Sequence, residues 1–344
     1  MFREDIFKAN IELNEKEIKE GKVALESKPR MLMLMLGSDC NLSCIMCPRS
    51  DSGGALSHEA FEKITCLFPY LELINWGGGG EPFLAANFKK FFFMASGYQQ
   101  IRHDITTNGL LIDEEWVGIL AQNNVLLTYS IDSPKKDTYE YIRKGARYED
   151  LIKSIETVNK AKERHNGKIK LILNAVVMKR NYKELHLFPE FCKKYNFQQL
   201  RLEYLRPVIN PEQDIFTVRK DQEAIQYLKK EMPEIESKCK DLGIKLESCI
   251  RVFLNSPHHN KDDSNGLINN CRLPWMKLLI DGSAGGRITP DCLCKYPAGN
   301  ILDNSIEEVW NNDIMQRYRR NILNKTAEGW CSEQCLIYER KGSA

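Results

Sequence analysis

Short apolar runs alternate with longer stretches of helical period through the first two hundred residues. The runs are MLMLML (31–36), LELINW (71–76), HDITTN (103–108), VLLTYSI (125–131), KLILNAVV (170–177) and QQLRLEYL (198–205). Their length and their flanking turn residues predict strands. Patterns of helical spacing fill the gaps at 57–68, 86–97, 112–122, 136–143 with 148–164, and 182–194. Ahead of the first strand, residues 7–26 set Ile11, Leu13, Ile18 and Leu25 among Lys and Glu, which predicts an exposed leading helix. Strand alternating with helix implies right-handed βαβ units and a parallel sheet. Six such units fall short of the eight of a closed barrel, so the expected α/β fold is a partial (β/α)6 TIM-like barrel. Its chemistry belongs at the C-terminal ends of the strands.

The pattern changes after the sixth strand. Residues 207–240 run from PVINPEQD into a charged helix, and IKLESCI makes a short strand ending at Cys249. A polar loop follows over 255–270, with His258 and His259, and is the candidate lid. Residues 271–344 hold several cysteines and one clear helical pattern at 305–323. The expected partition is a helical lead-in (1–30), the barrel (31–210), a helical linker with lid (211–270) and a cysteine-rich C-terminal domain (271–344).

Composition narrows the function classes. The chain is 42% hydrophobic and 28% charged, enough apolar material for a large core. With 49 basic and 47 acidic residues the formal charge is +2, which gives no case for nucleic acid or a membrane surface as partner. The apolar run Met31–Leu36 is too short to span a bilayer or to serve as a secretory core. The expectation is a cytoplasmic protein.

In such a compartment the 12 cysteines point to metal binding or catalysis rather than disulfides. Cys40, Cys44 and Cys47 sit directly after the first predicted strand. Three thiolates in one loop leave one coordination position open, as a catalytic metal centre requires. Sulfur-only ligation admits zinc or an iron–sulfur cluster. Cys66 and Cys192 fall in helical apolar patterns and read as small buried hydrophobes, and Cys239 as unremarkable.

The CxxxCxxC spacing after strand one resembles the signature of the radical S-adenosylmethionine (radical SAM) enzymes. Gly79-Gly80-Glu81-Pro82 after the second strand resembles that family's GGEP motif, whose backbone and glutamate hold the methionyl amino group. Thr107 and Asn108 resemble a family turn near the cofactor. Ser130 and Asp132 resemble its ribose-contacting position, and Arg143 an arginine that grips the cofactor carboxylate. Asn174 is a weaker match. The resemblance covers about residues 30–210. It implies a [4Fe–4S] cluster on Cys40, Cys44 and Cys47 with one open iron, which S-adenosylmethionine chelates. Reductive cleavage then gives a 5′-deoxyadenosyl radical that abstracts hydrogen from a C–H bond. An electron donor such as flavodoxin or ferredoxin follows from that chemistry.

Cys271-Arg-Leu-Pro-Trp275, Gly299-Asn300-Ile301, IEEVWNN and Cys331-Ser-Glu-Gln-Cys335 resemble the SPASM/Twitch extension of the same enzymes. This segment has five cysteines where a full SPASM domain takes about seven, so the resemblance implies one auxiliary [4Fe–4S] cluster. Its ligands are Cys271, Cys331, Cys335 and either Cys292 or Cys294, with Cys292 favoured because it follows Pro290-Asp291. A zinc ribbon is the plain alternative.

One auxiliary cluster suits oxidation of an alcohol with the cluster as electron acceptor, or an epimerisation. Only 39 residues precede Cys40. That tilts the expectation to a small-molecule substrate, a sugar, aminocyclitol or natural-product intermediate. Peptide or protein maturation is the alternative, and a non-enzymatic zinc scaffold the remote one. Glu203 and Arg206 end the sixth strand, where an acid or base could face substrate. Cys249 is the candidate hydrogen-atom donor.

Overall fold

The computed structural model describes residues 4–48, 54–164, 168–206, 209–255, 271–327, 329–332 and 335. The lid expected over 255–270 lies outside them from residue 256 onward, and His258 and His259 with it. The chain forms two compact units: Met1–Asp39 with Ser50–Asp104 and Asn260–Ala344, and Cys40–Arg49 with Ile105–His259. The ten strands among the described residues are β1 (Met31–Met35), β2 (Leu73–Trp76), β3 (Arg102–Thr107), β4 (Val125–Ser130), β5 (Lys170–Val177), β6 (Gln199–Tyr204), β7 (Lys245–Ser248), β8 (Lys277–Asp281), β9 (Arg287–Thr289) and β10 (Gly299–Asn300). The boundary between the units falls within β3, after Asp104.

In the first unit the strand order is β10-β9-β8-β1-β2. Strand β1 pairs in parallel with β2 on one side and β8 on the other. Its alternation is the reason: Leu32 and Leu34 are fully buried, with Ile74 and Trp76 beside them on β2 and Leu278 and Ile280 on β8. The strands β9 and β10 are antiparallel additions. Below β2 lies an aromatic core in which Phe61 stacks on Phe91 at 3.9 Å, and Trp76 contacts Phe61, Phe88 and Phe92. Burial of large rings like these dominates core energetics.

The leading helix, Glu4–Glu20, differs from its sequence expectation. Its buried positions are Asn10, Asn14 and Glu17, all polar. The reason is that residues 25–30 pass beside it as irregular chain whose backbone must be satisfied. Glu17 accepts from the Glu26 and Ser27 amides at 2.8 and 3.2 Å, and Asn10 is bonded to both backbone groups of Lys28. Asn14 donates to the Trp275 carbonyl at 2.8 Å. Arg319, fully buried, completes this hub through the carbonyls of Val23, Pro274 and Trp310. The helical pattern at 305–323 is two helices, Ile306–Trp310 and Asp313–Leu323, because Asn312 caps the second by accepting from Met315 N at 3.0 Å.

In the second unit β4, β5, β6 and β7 follow one another in parallel. Facing residues such as Leu127 and Leu171, Leu173 and Leu200, and Ala175 and Leu202 are buried, the near-continuous apolar strand content of a covered parallel sheet. The helices Tyr148–Arg164 and Gln222–Asp241 each bury one apolar stripe. Among the described residues, no helix is long and apolar enough to cross a membrane.

Candidate functional site

Within the second unit the loop Cys40–Cys47 hangs from the turn after the helix Lys136–Ile142. Ser43 N donates to Lys144 O and Ile45 N to Ile142 O, both at 2.9 Å. Ile45 packs with Ile142, Met178 and Leu205, so the loop has an apolar floor. Cys47 N bonds Cys44 O at 3.1 Å and closes the last turn. All three thiols are free of disulfides. Burial pushes the Cys44 thiol up, Arg143 pulls it down, and Cys47 and Cys40 raise it again, so the three sulfurs share one electrostatic neighbourhood.

Nitrogen donors face these sulfurs. Asn108 Nδ2 lies 4.0 Å from Cys40 Sγ and 2.8 Å from Asn41 Oδ1. Arg143 Nη1 lies 3.7 Å from Cys44 Sγ. Three thiols on one loop with N–H groups aimed at sulfur suit an anionic iron–sulfur cluster. Among the described residues, no three His, Cys, Asp or Glu side chains converge on the volume of a single metal ion.

The other sequence-derived contacts of this unit divide. Thr107 is buried, and its hydroxyl accepts from Gly109 N at 2.9 Å, holding the turn after β3. Gly109 is required there: its φ is +83°, and a β-carbon would stand 2.2 Å from the Tyr129 ring. Ser130, the last residue of β4, and Asn174, inside β5, are register partners, both half-buried. Asp132 is fully buried and pairs with Arg143, Oδ2 to Nε at 2.8 Å, so its carboxylate is committed within the protein. The Arg143 guanidinium is likewise engaged on two sides, by Asp132 and by Cys44.

Glu203, on β6 opposite Val176, and Cys249, whose N donates to Leu202 O at 2.9 Å, are both half-buried, while Arg206 is exposed. Between them sits Tyr204, a residue without a sequence signal of its own. Burial raises its phenol, Arg206 lowers it through charge and a hydrogen bond, and Glu203 and Cys249 raise it. The three sequence candidates therefore share one neighbourhood, centred on a buried tyrosine.

In the first unit, the glycine run after β2 lies against the chain leaving β1. Gly80 N donates to Gly37 O at 2.6 Å and Glu81 N to Asp39 O at 2.7 Å. A β-carbon would stand 2.3 Å from Gly37 O at Gly79, and 1.8 Å from Asp39 O at Gly80. Only glycine permits this approach. Glu81 is buried and accepts from Phe83 N at 3.3 Å, capping the short helical turn that begins at Pro82.

The C-terminal cysteines of the same unit form a second group. The segments 293–295 and 330–332 pair across an isolated bridge between Cys294 and Cys331, with Ser332 N bonded to Leu293 O at 2.8 Å and Lys295 N to Trp330 O at 3.0 Å. Burial pushes the Cys271 thiol up to about 12, with Cys335 contributing. Cys331 is raised by a hydrogen bond with Cys335, then by burial and by the charges of Cys294, Cys335 and Cys271. These four thiols are mutual neighbours. Cys292, the favoured ligand from sequence, is exposed, and its Sγ lies 3.2 Å from Asp291 Oδ1. It lines an open cleft with Met35, Asp281, Thr289 and Lys295.

Family models of known proteins span both thiol groups. Residues 34–188 match the family model of the Radical SAM superfamily, and residues 271–336 that of an iron-sulfur cluster-binding domain, SPASM. A GTP 3′,8-cyclase of Synechocystis sp. is 30% identical over 190 residues, 52% of this chain and 54% of that protein. A cysteine-type anaerobic sulfatase-maturating enzyme of Clostridium novyi is 25% identical over 209 residues, 53% of this chain and 52% of the relative. The chain thus spans about half the length of the curated relatives it matches. Among solved structures, Streptococcus suis SuiB bound to precursor peptide SuiA superposes with a TM-score of 0.67 at 20% identity, over 94% of this chain and 76% of that one. Native anSMEcpe with bound AdoMet gives 0.63 at 18% identity, over 91% and 94%. This likeness shows the fold, the expected TIM-like partial barrel with a C-terminal SPASM domain.

Proposed function

The chain belongs to the radical SAM enzymes with a C-terminal SPASM domain, whose cofactors are [4Fe–4S] clusters and S-adenosylmethionine, and from that premise we propose that it oxidises a side chain of a peptide substrate. The observation that carries this reading is the reach of the structural likeness. It runs through both domains, over nine-tenths of the chain, to proteins solved with a precursor peptide and with the Cp18Cys peptide. Two anaerobic sulfatase-maturating enzymes among the curated relatives support it. It replaces the small polar substrate expected from sequence, which rested on the short stretch before Cys40.

Cys40, Cys44 and Cys47 would hold the first cluster, and Cys271, Cys294, Cys331 and Cys335 the auxiliary one. Gly79, Gly80, Glu81, Pro82, Thr107, Asn108, Ser130 and Asn174 are the proposed residues of S-adenosylmethionine binding. When bound, these groups supply a 5′-deoxyadenosyl radical and a one-electron acceptor. The residues of the chain do the rest. The turns at Gly80 and Gly109 present backbone at close range. The Cys40–Cys47 loop is held in place by Ile45 on its apolar floor of Ile142, Met178 and Leu205. Glu203 is the proposed base that takes the proton released from an oxidised hydroxyl or thiol, and Arg206 the group that binds a substrate carboxylate or carbonyl.

The test is deoxyadenosine release by anaerobically purified, reduced protein, with cysteine- or serine-containing peptides set against sugars and aminocyclitols. Stimulation by peptide, with the peptide losing two hydrogens by mass, is the expected result. Stimulation by an aminocyclitol or sugar alone overturns the peptide reading. That small-substrate reading is favoured by the 30% identity to a GTP 3′,8-cyclase.

A further inference from the structure

The pair Asp132–Arg143 is built more elaborately than a contact to a nucleoside needs. Asp132 Oδ1 accepts from Val176 N at 2.9 Å, and its Oδ2 meets Arg143 Nε at 2.8 Å. Its backbone oxygen accepts from Asn181 Nδ2 at 2.7 Å. Asn181 is itself fully buried, donates also to Val176 O at 2.8 Å, and accepts from Met178 N at 2.8 Å. The carboxylate therefore has a fixed place. Arg143 carries that fixity to the cysteine loop twice. Its flanking residues Ile142 and Lys144 accept backbone bonds from Ile45 and Ser43, and its own Nη1 reaches Cys44 Sγ at 3.7 Å. A buried ion pair costs desolvation and is weak evidence for stability, so its position beside a ligand sulfur calls for another explanation.

We propose that Asp132 is a positioning residue that locks the Arg143 guanidinium against the Cys44 sulfur, so that the pair sets the charge felt by the radical SAM cluster. The proposal rests on the reading of Cys40, Cys44 and Cys47 as ligands of that cluster. An N–H donor and a positive charge at a ligand sulfur stabilise the reduced, more negative state and raise the reduction potential. Asp132 opposes part of that charge while fixing where it sits. A guanidinium suits the task because its rigid planar head holds a permanent charge against two partners at once.

The experiment measures the midpoint potential of the cluster whose electron paramagnetic resonance signal responds to S-adenosylmethionine. In Asp132→Asn the amide oxygen still accepts from Val176 N, but the opposing charge is gone, so the potential moves positive. In the double variant Asp132→Asn/Arg143→Gln the guanidinium is gone too, and the potential moves negative of the wild type. Arg143→Lys keeps the charge without the fork, and its potential falls between the wild type and the double variant. Mere loosening of the fold admits water in every variant and gives no such opposition of sign. Shifts in one direction, or none, overturn the proposal and leave the cluster reading intact. A wild-type protein with no responsive signal, or a Cys40→Ala variant that keeps one, overturns the cluster reading instead.

Discussion

His103 shows how a single side chain writes a pH dependence into the fold. It is almost wholly buried on β3, and its Nδ1 accepts from Trp76 Nε1 at 3.1 Å, with Phe92 against its ring. An accepting Nδ1 requires the neutral ring, and burial holds its pKa down at about 4 against an ordinary 6.5. Below pH 6.5 the unfolded chain takes up a proton here that the native state refuses, so stability falls with pH until about 4. Between pH 6.5 and 5 this removes roughly 2 kcal/mol. Chemical denaturation of wild type and His103→Gln across that range checks it: the difference between the two proteins shrinks as pH falls. A difference independent of pH means that His103 does not titrate in this window. No motif marks this residue in the sequence, whereas Cys40, Cys44 and Cys47 stand out by spacing alone. Asp132 and Arg143 lie between these cases. Their places were legible and their partner was not, because a buried ion pair joins residues eleven apart in sequence by a contact that spacing does not encode.

At the scale of elements, strand edges were the clearest signal. The six expected strands lie within two residues of β1 to β6, since buried parallel strands are apolar runs cut short by turn residues. Strand β8 was missed as a strand because KLLID looks like any short apolar run, and only its register against β1 makes it one. The leading helix was misread because its buried face is polar and serves the backbone of residues 25–30. The auxiliary ligands divide the same way. Cys271, Cys331 and Cys335 are proposed from motif spacing, and the choice between Cys292 and Cys294 turns on which one the fold sets beside them. Cys294 pairs with Cys331 across the isolated bridge and neighbours Cys271 and Cys335, whereas Cys292 is exposed beside Asp291. Cys294→Ser is expected to lose the auxiliary irons, about four per chain, and Cys292→Ser to keep them. Iron and sulfide analysis of anaerobically purified variants decides between them, and the reverse pattern would return Cys292 to the ligand set.

Taken as a whole molecule, the two thiol groups belong to different compact units of the chain, and that separation has a measurable consequence. Each group is organised by its own surroundings: the first by residues 142–144 and the apolar floor under Ile45, the second by the bridge between 293–295 and 330–332. Interactions that share no partners contribute additively. The wild type should carry about eight irons per chain, and Cys40→Ala and Cys294→Ala about four each. Activity should not divide so evenly. Cys40→Ala is expected to remove deoxyadenosine formation altogether, because the loop that would hold the first cluster loses one of its three thiols. Cys294→Ala is expected to keep deoxyadenosine formation and lose the oxidised product, because the proposed reaction would draw its radical from the first group and pass its last electron to the second. Loss of all iron in either single variant would show that the two groups assemble as one cooperative structure. Retention of product by Cys294→Ala would show that the reaction is redox-neutral, which favours an epimerisation over the proposed oxidation.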